Sequence, residues 1–296
     1  MPSKISMFLR AQIRLAKPFL RNLDIEADRR GQDRLGELGT KAMEDKVSFL
    51  PASFPLFEAE WAIPLDPKPD SCILYLHGGG YTAGSLVYAR AFGSTLADAM
   101  ERKTLCIGYR LAPENPFPAA LDDALTAYKY ILETYSPDKI SLVGESAGGG
   151  LCFCLALHIK KQGLPLPACI VALSPWTDLT LSGESYKRNA DDDPSLFEDT
   201  LREYAGLYAG TDLKNPLVSP LFGDLFNMPR SLIYVGTHEI LEDDSREMAK
   251  NLNSYGADCE LHVVDGMWHV FVLFGIPEAK EALSRIRGFI DEIAQC

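Results

Sequence analysis

The chain has 296 residues, 47% of them hydrophobic, enough to bury a large core, and α/β chains of this length are often one domain. Its formal net charge is −12, from 29 basic and 41 acidic side chains. An acidic surface excludes nucleic acid as a partner, because phosphate binding needs basic groups, and otherwise favours solubility.

Residues 1–46 read as helical and polar. Lys4, Arg10, Arg14, Lys17 and Arg21 interrupt every apolar stretch at the start. Neither a membrane-spanning helix nor the apolar core of a secretory leader is therefore expected, and the protein is expected in the cytoplasm. Met7, Phe8, Ala11, Leu15 and Phe19 recur at roughly helical spacing. We read them as the apolar face of an amphipathic helix that covers part of the protein, in preference to one lying on a membrane surface.

Strand-like and helix-like segments then alternate. The strands are Glu58–Leu65, Cys72–Leu76, Leu105–Tyr109, Ile140–Val143, Cys169–Leu173, Leu232–Val235 and Cys259–Val264. Several are continuously apolar, as parallel strands buried on both faces are. Between them Ala89–Met100, Ala119–Tyr135, Ala147–Lys161, Asp243–Ser254 and Glu278–Ile293 read as helices. This alternation predicts an α/β architecture, a mostly parallel central sheet with helices on both faces, over residues 47–296. Thr177 to about Leu217 breaks the rhythm and reads as an insertion above the sheet, pairing with the N-terminal helices as a lid. Its Asp191-Asp192-Asp193 run reads as a solvated turn before Pro194 rather than a metal site.

The cysteines are Cys72, Cys106, Cys152, Cys154, Cys169, Cys259 and Cys296. Their number is odd and most lie in apolar runs, where Cys acts as a small hydrophobe. A reducing compartment without a disulfide framework is expected. Cys152 and Cys154 have no second pair at zinc-binding spacing, so no metal and no cofactor is expected.

In a parallel sheet, ligands bind beyond the carboxyl ends of the strands. After Ile140–Val143 comes Gly144-Glu145-Ser146-Ala147-Gly148, the G-x-S-x-G pattern that places a serine on a tight strand-to-helix turn with its hydroxyl exposed. After Cys72–Leu76 comes His77-Gly78-Gly79-Gly80. Its bare backbone can aim amides at a developing oxyanion, and Gly78, Gly79 and Ala147 are the expected donors. His77 is expected to organise this loop. After Leu232–Val235, Glu239 is the best-placed carboxylate to orient a histidine, with Asp243 the alternative. Asp243 and Asp244 read better as first-turn residues of the next helix. After the last strand comes His269, which completes the order serine, acid, histidine. His158 and His262 fall in a helix and a strand and read as packing residues, and His238 as loop.

These blocks resemble the hormone-sensitive-lipase-like family of bacterial esterases, on the α/β-hydrolase fold. The residues that carry the resemblance are His77-Gly78-Gly79-Gly80, Tyr109-Arg110-Leu111-Ala112-Pro113-Glu114, Gly144-Glu145-Ser146-Ala147-Gly148-Gly149, Ser174-Pro175-Trp176 and the block ending at His269. It implies a helical cap built from residues 1–46 and about 180–215, a nucleophile at Ser146 and a base at His269. It also implies dimers and short acyl chains. The chain departs from the family's Asp-Pro-Leu, carrying Glu239-Ile240-Leu241 there. A serine carboxylesterase acting on a small-molecule ester through an acyl-enzyme is expected. A lactone or acetyl-amide hydrolase with the same triad is the alternative, and a non-catalytic small-molecule receptor the remote one.

Overall fold

Short polar caps set the N-terminal helices of the computed structural model, which describes residues 1–21, 24–68 and 70–294. Ser3 accepts from the Ser6 amide at the head of α1 (Lys4–Leu20), and Asp24 from the Ala27 amide at the head of α2 (Ile25–Lys41). α2 lies flat on α3 (Leu86–Met100) because Gly36 has no side chain; a Cβ there would meet the Val87 carbonyl at 2.4 Å.

The orientation of α1 differs from the expectation. Phe8, Leu15 and Phe19 are 67%, 70% and 81% exposed, and Met7 and Ala11 also face solvent. Leu9 and Ile13 supply the packing instead. The basic side chains reach the body: Arg10 donates to the Gly266 carbonyl, Arg14 to that of Asp191, and Lys17 to those of Ala190 and Asp193. The periodicity was that of an amphipathic helix, but its polar arms dock it and its named apolar stripe stays outside.

The sheet has the order β1-β2-β4-β3-β5-β6-β7-β8, formed by β1 (Val47–Ser53), β2 (Glu58–Pro64), β3 (Cys72–Leu76), β4 (Lys103–Gly108), β5 (Ile140–Glu145), β6 (Cys169–Leu173), β7 (Arg230–His238) and β8 (Cys259–Trp268). β1 and β2 are antiparallel to their neighbours and the rest run parallel. β3, β5 and β6 are buried throughout; β3 and β6 are unbroken apolar runs, while β5 also buries Ser141 and Glu145. β1 was not expected. It is an edge strand carrying Pro51, with most side chains outward, so it shows no apolar run. β7 and β8 outrun their predicted ends, pairing as far as His238 and Trp268 through a bulge after Gly236. His238 is thus a strand residue, and His269 follows its strand directly.

One core lies under α4 (Ala119–Leu132), α5 (Ala147–Lys161) and α8 (Glu242–Ser254); the other lies under α3 and α9 (Pro277–Ala294). The insertion carries α6 (Ser185–Arg188) and α7 (Glu198–Ala209). α7 packs through Leu201, Ala205 and Tyr208, whose ring stacks on Tyr81 at 3.8 Å. The triple-aspartate turn is not uniformly solvated. Asp191 and Asp192 are exposed, but Asp193 is fully buried and accepts from the amides of Ser195, Leu196 and Ile240. Six cysteines are free and buried; Cys296 lies outside the described residues.

Close packing at the turn after β5 gives a testable contrast. A Cβ on Gly148 would stand 2.0 Å from the Leu76 carbonyl oxygen, whereas Gly206 in α7 has open space around it. Gly148→Ala is expected to cost at least ~3 kcal/mol or to prevent soluble folding. Gly206→Ala is expected to gain up to about 1 kcal/mol, both read by urea denaturation.

Candidate active site

Ser146 occupies the single residue between β5 and α5, at φ 55 and ψ −123. Few non-glycine residues adopt such angles, and the turn is held from three sides. The Ser146 amide donates to the Leu173 carbonyl at 2.9 Å, while the Ser146 carbonyl accepts from Gly150 and Trp176 at 3.1 and 2.9 Å. The glycines of G-x-S-x-G are required by contact as well: a Cβ on Gly144 would lie 2.4 Å from the Gly148 carbonyl.

His269 emerges at the end of β8, and its Nδ1 lies 2.9 Å from Glu239 Oε2. Glu239 is wholly buried in the loop between β7 and α8. Its Oε1 accepts from the Gly236 amide at 2.6 Å and from Ser174 Oγ at 2.8 Å. Ser174 Oγ in turn accepts from the Val270 amide at 3.0 Å. The carboxylate therefore keeps the imidazole proton on Nδ1 and leaves Nε2 as the basic nitrogen. Ser174 thus links the acid to the backbone beside His269, a role its motif does not display. A buried serine directly after a strand end was the only signal for it.

Asp243, the alternative acid, is turned elsewhere. It accepts from the Ser185 amide and pairs with Arg188 at 2.8 Å. Asp244 is buried and accepts from the amides of Thr177 and Asp178 and from the Tyr186 hydroxyl.

The glycine loop requires a correction. The Gly78 amide donates to Glu145 Oε1 at 2.6 Å, so it is already committed and is no free oxyanion donor. Among the described residues the amides of Gly79, Gly80 and Ala147 have no protein acceptor, which moves the available set one residue along. His77 organises the loop: its ring stacks on Tyr109 at 4.1 Å and its Nδ1 meets the Gly78 carbonyl at 2.7 Å. Burial lowers its pKa to about 4, so it is neutral and Nδ1 is the donor. His158, His238 and His262 lie outside the cavity.

Ser146 and His269 open on one cavity of about 230 Å³, walled also by Gly79, Gly80 and, from the N-terminal and inserted segments, Gln32 and Tyr204. Glu145, beneath it, is pushed up to about 7 by burial, against the opposing pull of the Gly78 amide and of Tyr75 and Tyr88. With a folded pKa above the unfolded one, the native state holds its proton longer, and stability is lost as pH rises from about 4.5 to about 7. Glu145→Gln keeps an oxygen for Gly78 without the charge. At pH 8 it is expected to melt above the wild type, on the order of 5 °C, and at pH 4.5 the gap should close, as read by thermal denaturation. An equal gap at both pH values would refute a buried ionisation.

Among the described residues no group of three or more His, Cys, Asp or Glu side chains is placed to hold a metal ion, and no helix is long and apolar enough to cross a membrane.

Residues 73–273 match the family model of the α/β-hydrolase fold. The chain is 38% identical over 236 residues to an acetyl-hydrolase of Streptomyces hygroscopicus, covering 78% of this chain and 79% of that one. It is 35% identical to an esterase of Acinetobacter venetianus, covering 73% of each. Among solved structures, EstE5 soaked with p-nitrophenyl butyrate superposes with a TM-score of 0.94 at 33% identity, over 99% of this chain and 100% of that one. An esterase from the bacterial hormone-sensitive lipase family superposes at 0.91 with 36% identity, over the same shares.

Proposed function

The chain belongs to the hormone-sensitive-lipase-like family of bacterial esterases and is a carboxylic ester hydrolase; on that premise we propose that it is a serine esterase for short acyl chains, working through an acyl-enzyme. The observation that supports the reading is the convergence on one cavity of a strained serine, a histidine fixed by a buried glutamate, and the Gly79 and Gly80 loop, whose amides, like that of Ala147 next to the serine, have no protein acceptor.

In this reading His269 Nε2 takes the Ser146 proton as Oγ attacks the ester carbonyl. Glu239 holds the ring and offsets the charge it gains. The carbonyl oxygen, now negative, accepts from Gly79, Gly80 and Ala147. His269 then protonates the leaving alcohol. Water, deprotonated by the same nitrogen, releases the acid and restores Ser146. The first turn of α5 starts at Ala147, so its helix dipole also favours negative charge there.

α1, α2 and the 180–215 insertion act as the cap, and the small cavity beneath them supports the short-chain preference. The names of an acetyl-hydrolase relative and of a butyrate-soaked structural neighbour point the same way. On a ladder of p-nitrophenyl esters, kcat/KM is expected to peak at acetyl to butyryl and fall at least about tenfold by octanoyl, as each methylene beyond the cavity loses its burial. A maximum at dodecanoyl or longer would count against the short-chain reading.

A further inference from the structure

The wall that α2 and α7 give to the cavity beside Ser146, away from the glycine-loop amides, carries a buried acceptor for which the protein supplies no donor. Asp28 and Gln32 reach it from α2, and Tyr204 from α7. Gln32 Nε2 donates to Asp28 Oδ1, and the Tyr204 hydroxyl to Asp28 Oδ2, both at 3.3 Å and so weakly. Gln32 Oε1 is buried with no donor. Flipping the Gln32 amide does not resolve this, because its oxygen would then face the Asp28 carboxylate. Burial pushes the Asp28 carboxyl above its ordinary value, with Gln32 and Tyr204 drawing it back.

No cation balances these groups. Neither Lys nor Arg lines the cavity among the described residues. Arg29, next to Asp28 in the chain, turns away to the Thr82 and Ala112 carbonyls and the Glu114 carboxylate. The acceptors also stand over the glycine loop. A Cβ on Gly79 would lie 3.1 Å from Gln32 Oε1, and one on Gly80 2.4 Å from the Tyr204 ring. A buried acceptor without a donor is costly, and a bound group that donates to it gains what the free cavity lacks.

We propose that this cavity selects esters carrying a hydrogen-bond donor, a hydroxyl or a protonated amine, close to the scissile bond, over apolar esters of the same shape and over esters bearing a second carboxylate. The inference rests on the esterase reading of the same site.

The test uses shape-matched pairs. On the alcohol side, 2-(dimethylamino)ethyl acetate is compared with 3-methylbutyl acetate. On the acyl side, methyl 3-hydroxybutanoate is compared with methyl 3-methylbutanoate. Monomethyl succinate serves as the carboxylate-bearing ester. Each pair is run on wild type, Asp28→Asn and Gln32→Leu, with the uncatalysed rates subtracted, and p-nitrophenyl acetate is run beside them. The expected result is a donor preference in kcat/KM of about tenfold or more in at least one pair, falling to within threefold in the variants. Monomethyl succinate should be the poorest substrate of wild type and improve in Asp28→Asn. Normal p-nitrophenyl acetate turnover with no donor preference in either pair would overturn the proposal and leave the esterase reading standing. So would a preference unchanged in both variants. No turnover of p-nitrophenyl acetate would remove that reading, and the proposal with it.

Discussion

Ser146→Ala is expected to lower kcat for p-nitrophenyl acetate by a factor on the order of 10⁵, with KM nearly unchanged. The loss is large because Ser146 is the hydroxyl presented on the strained turn after β5; Ser195 and Thr200 also line the cavity, but from the inserted segment, where Ser195 Oγ donates to Asp193. Glu145 is next in sequence, but its carboxylate is tied to the Gly78 amide and turned beneath the loop. Alanine keeps the Cβ, so the strained φ of 55 and the three hydrogen bonds on its backbone persist, and the variant should fold with wild-type circular dichroism. What remains is substrate binding beside Gly79, Gly80 and Ala147, which still accelerates attack by water. Two readouts separate loss of the nucleophile from general damage. The pre-steady-state burst of p-nitrophenol, stoichiometric with wild-type enzyme whenever deacylation is the slower step, should vanish. Labelling by a fluorophosphonate should vanish with it. Activity within tenfold of wild type would remove Ser146 from the nucleophile's role.

Much of this site is legible in the chain because parallel strands write themselves as unbroken apolar runs. A run such as Cys72–Leu76 or Ile140–Val143 marks where a strand ends, and the residues after it are where chemistry collects. Ser146, Glu239 and His269 are the candidates read that way. What the chain does not display are contacts between segments far apart. Nothing local to Gly78 tells that Glu145 takes its amide, although both residues stand in recognised motifs. Three aspartates in a row look alike, yet only Asp193 is buried, because the Ile240 amide and the turn at Ser195 need an acceptor. The helical period of α1 reports an apolar stripe but not which side meets the body. That was decided by carbonyls at Gly266, Asp191 and Asp193, which draw the basic side chains inward. β1 is hidden for the opposite reason, as an edge strand needs no continuous apolar run.

Glu239→Gln is the second large loss, expected near 10⁴ in kcat, and its cause differs from that of the serine. The carboxylate carries three donors on two oxygens: the Gly236 amide and Ser174 Oγ on Oε1, and His269 Nδ1 on Oε2. Glutamine has one oxygen. The Gly236 amide and Ser174 fix it at the Oε1 place, so the carboxamide nitrogen must face Nδ1. An N–H donor there forces Nδ1 to accept, moving the ring proton to Nε2, and the base that should activate Ser146 is lost with the ring otherwise in place. The variant should therefore fold normally and bind substrate with little change in KM. Raising the pH should not restore activity, because the neutral ring keeps the wrong tautomer. Glu239→Ala empties the site and lets the ring turn, so it should retain more activity than the glutamine variant while being less stable. Asp243→Asn supplies the control. Asp243 is bound to the Ser185 amide and Arg188 and has no path to the imidazole, so its loss should change kcat less than about threefold. A reversal, with Asp243→Asn inactive and Glu239→Gln active, would transfer the acid's role from the buried glutamate to the first turn of α8.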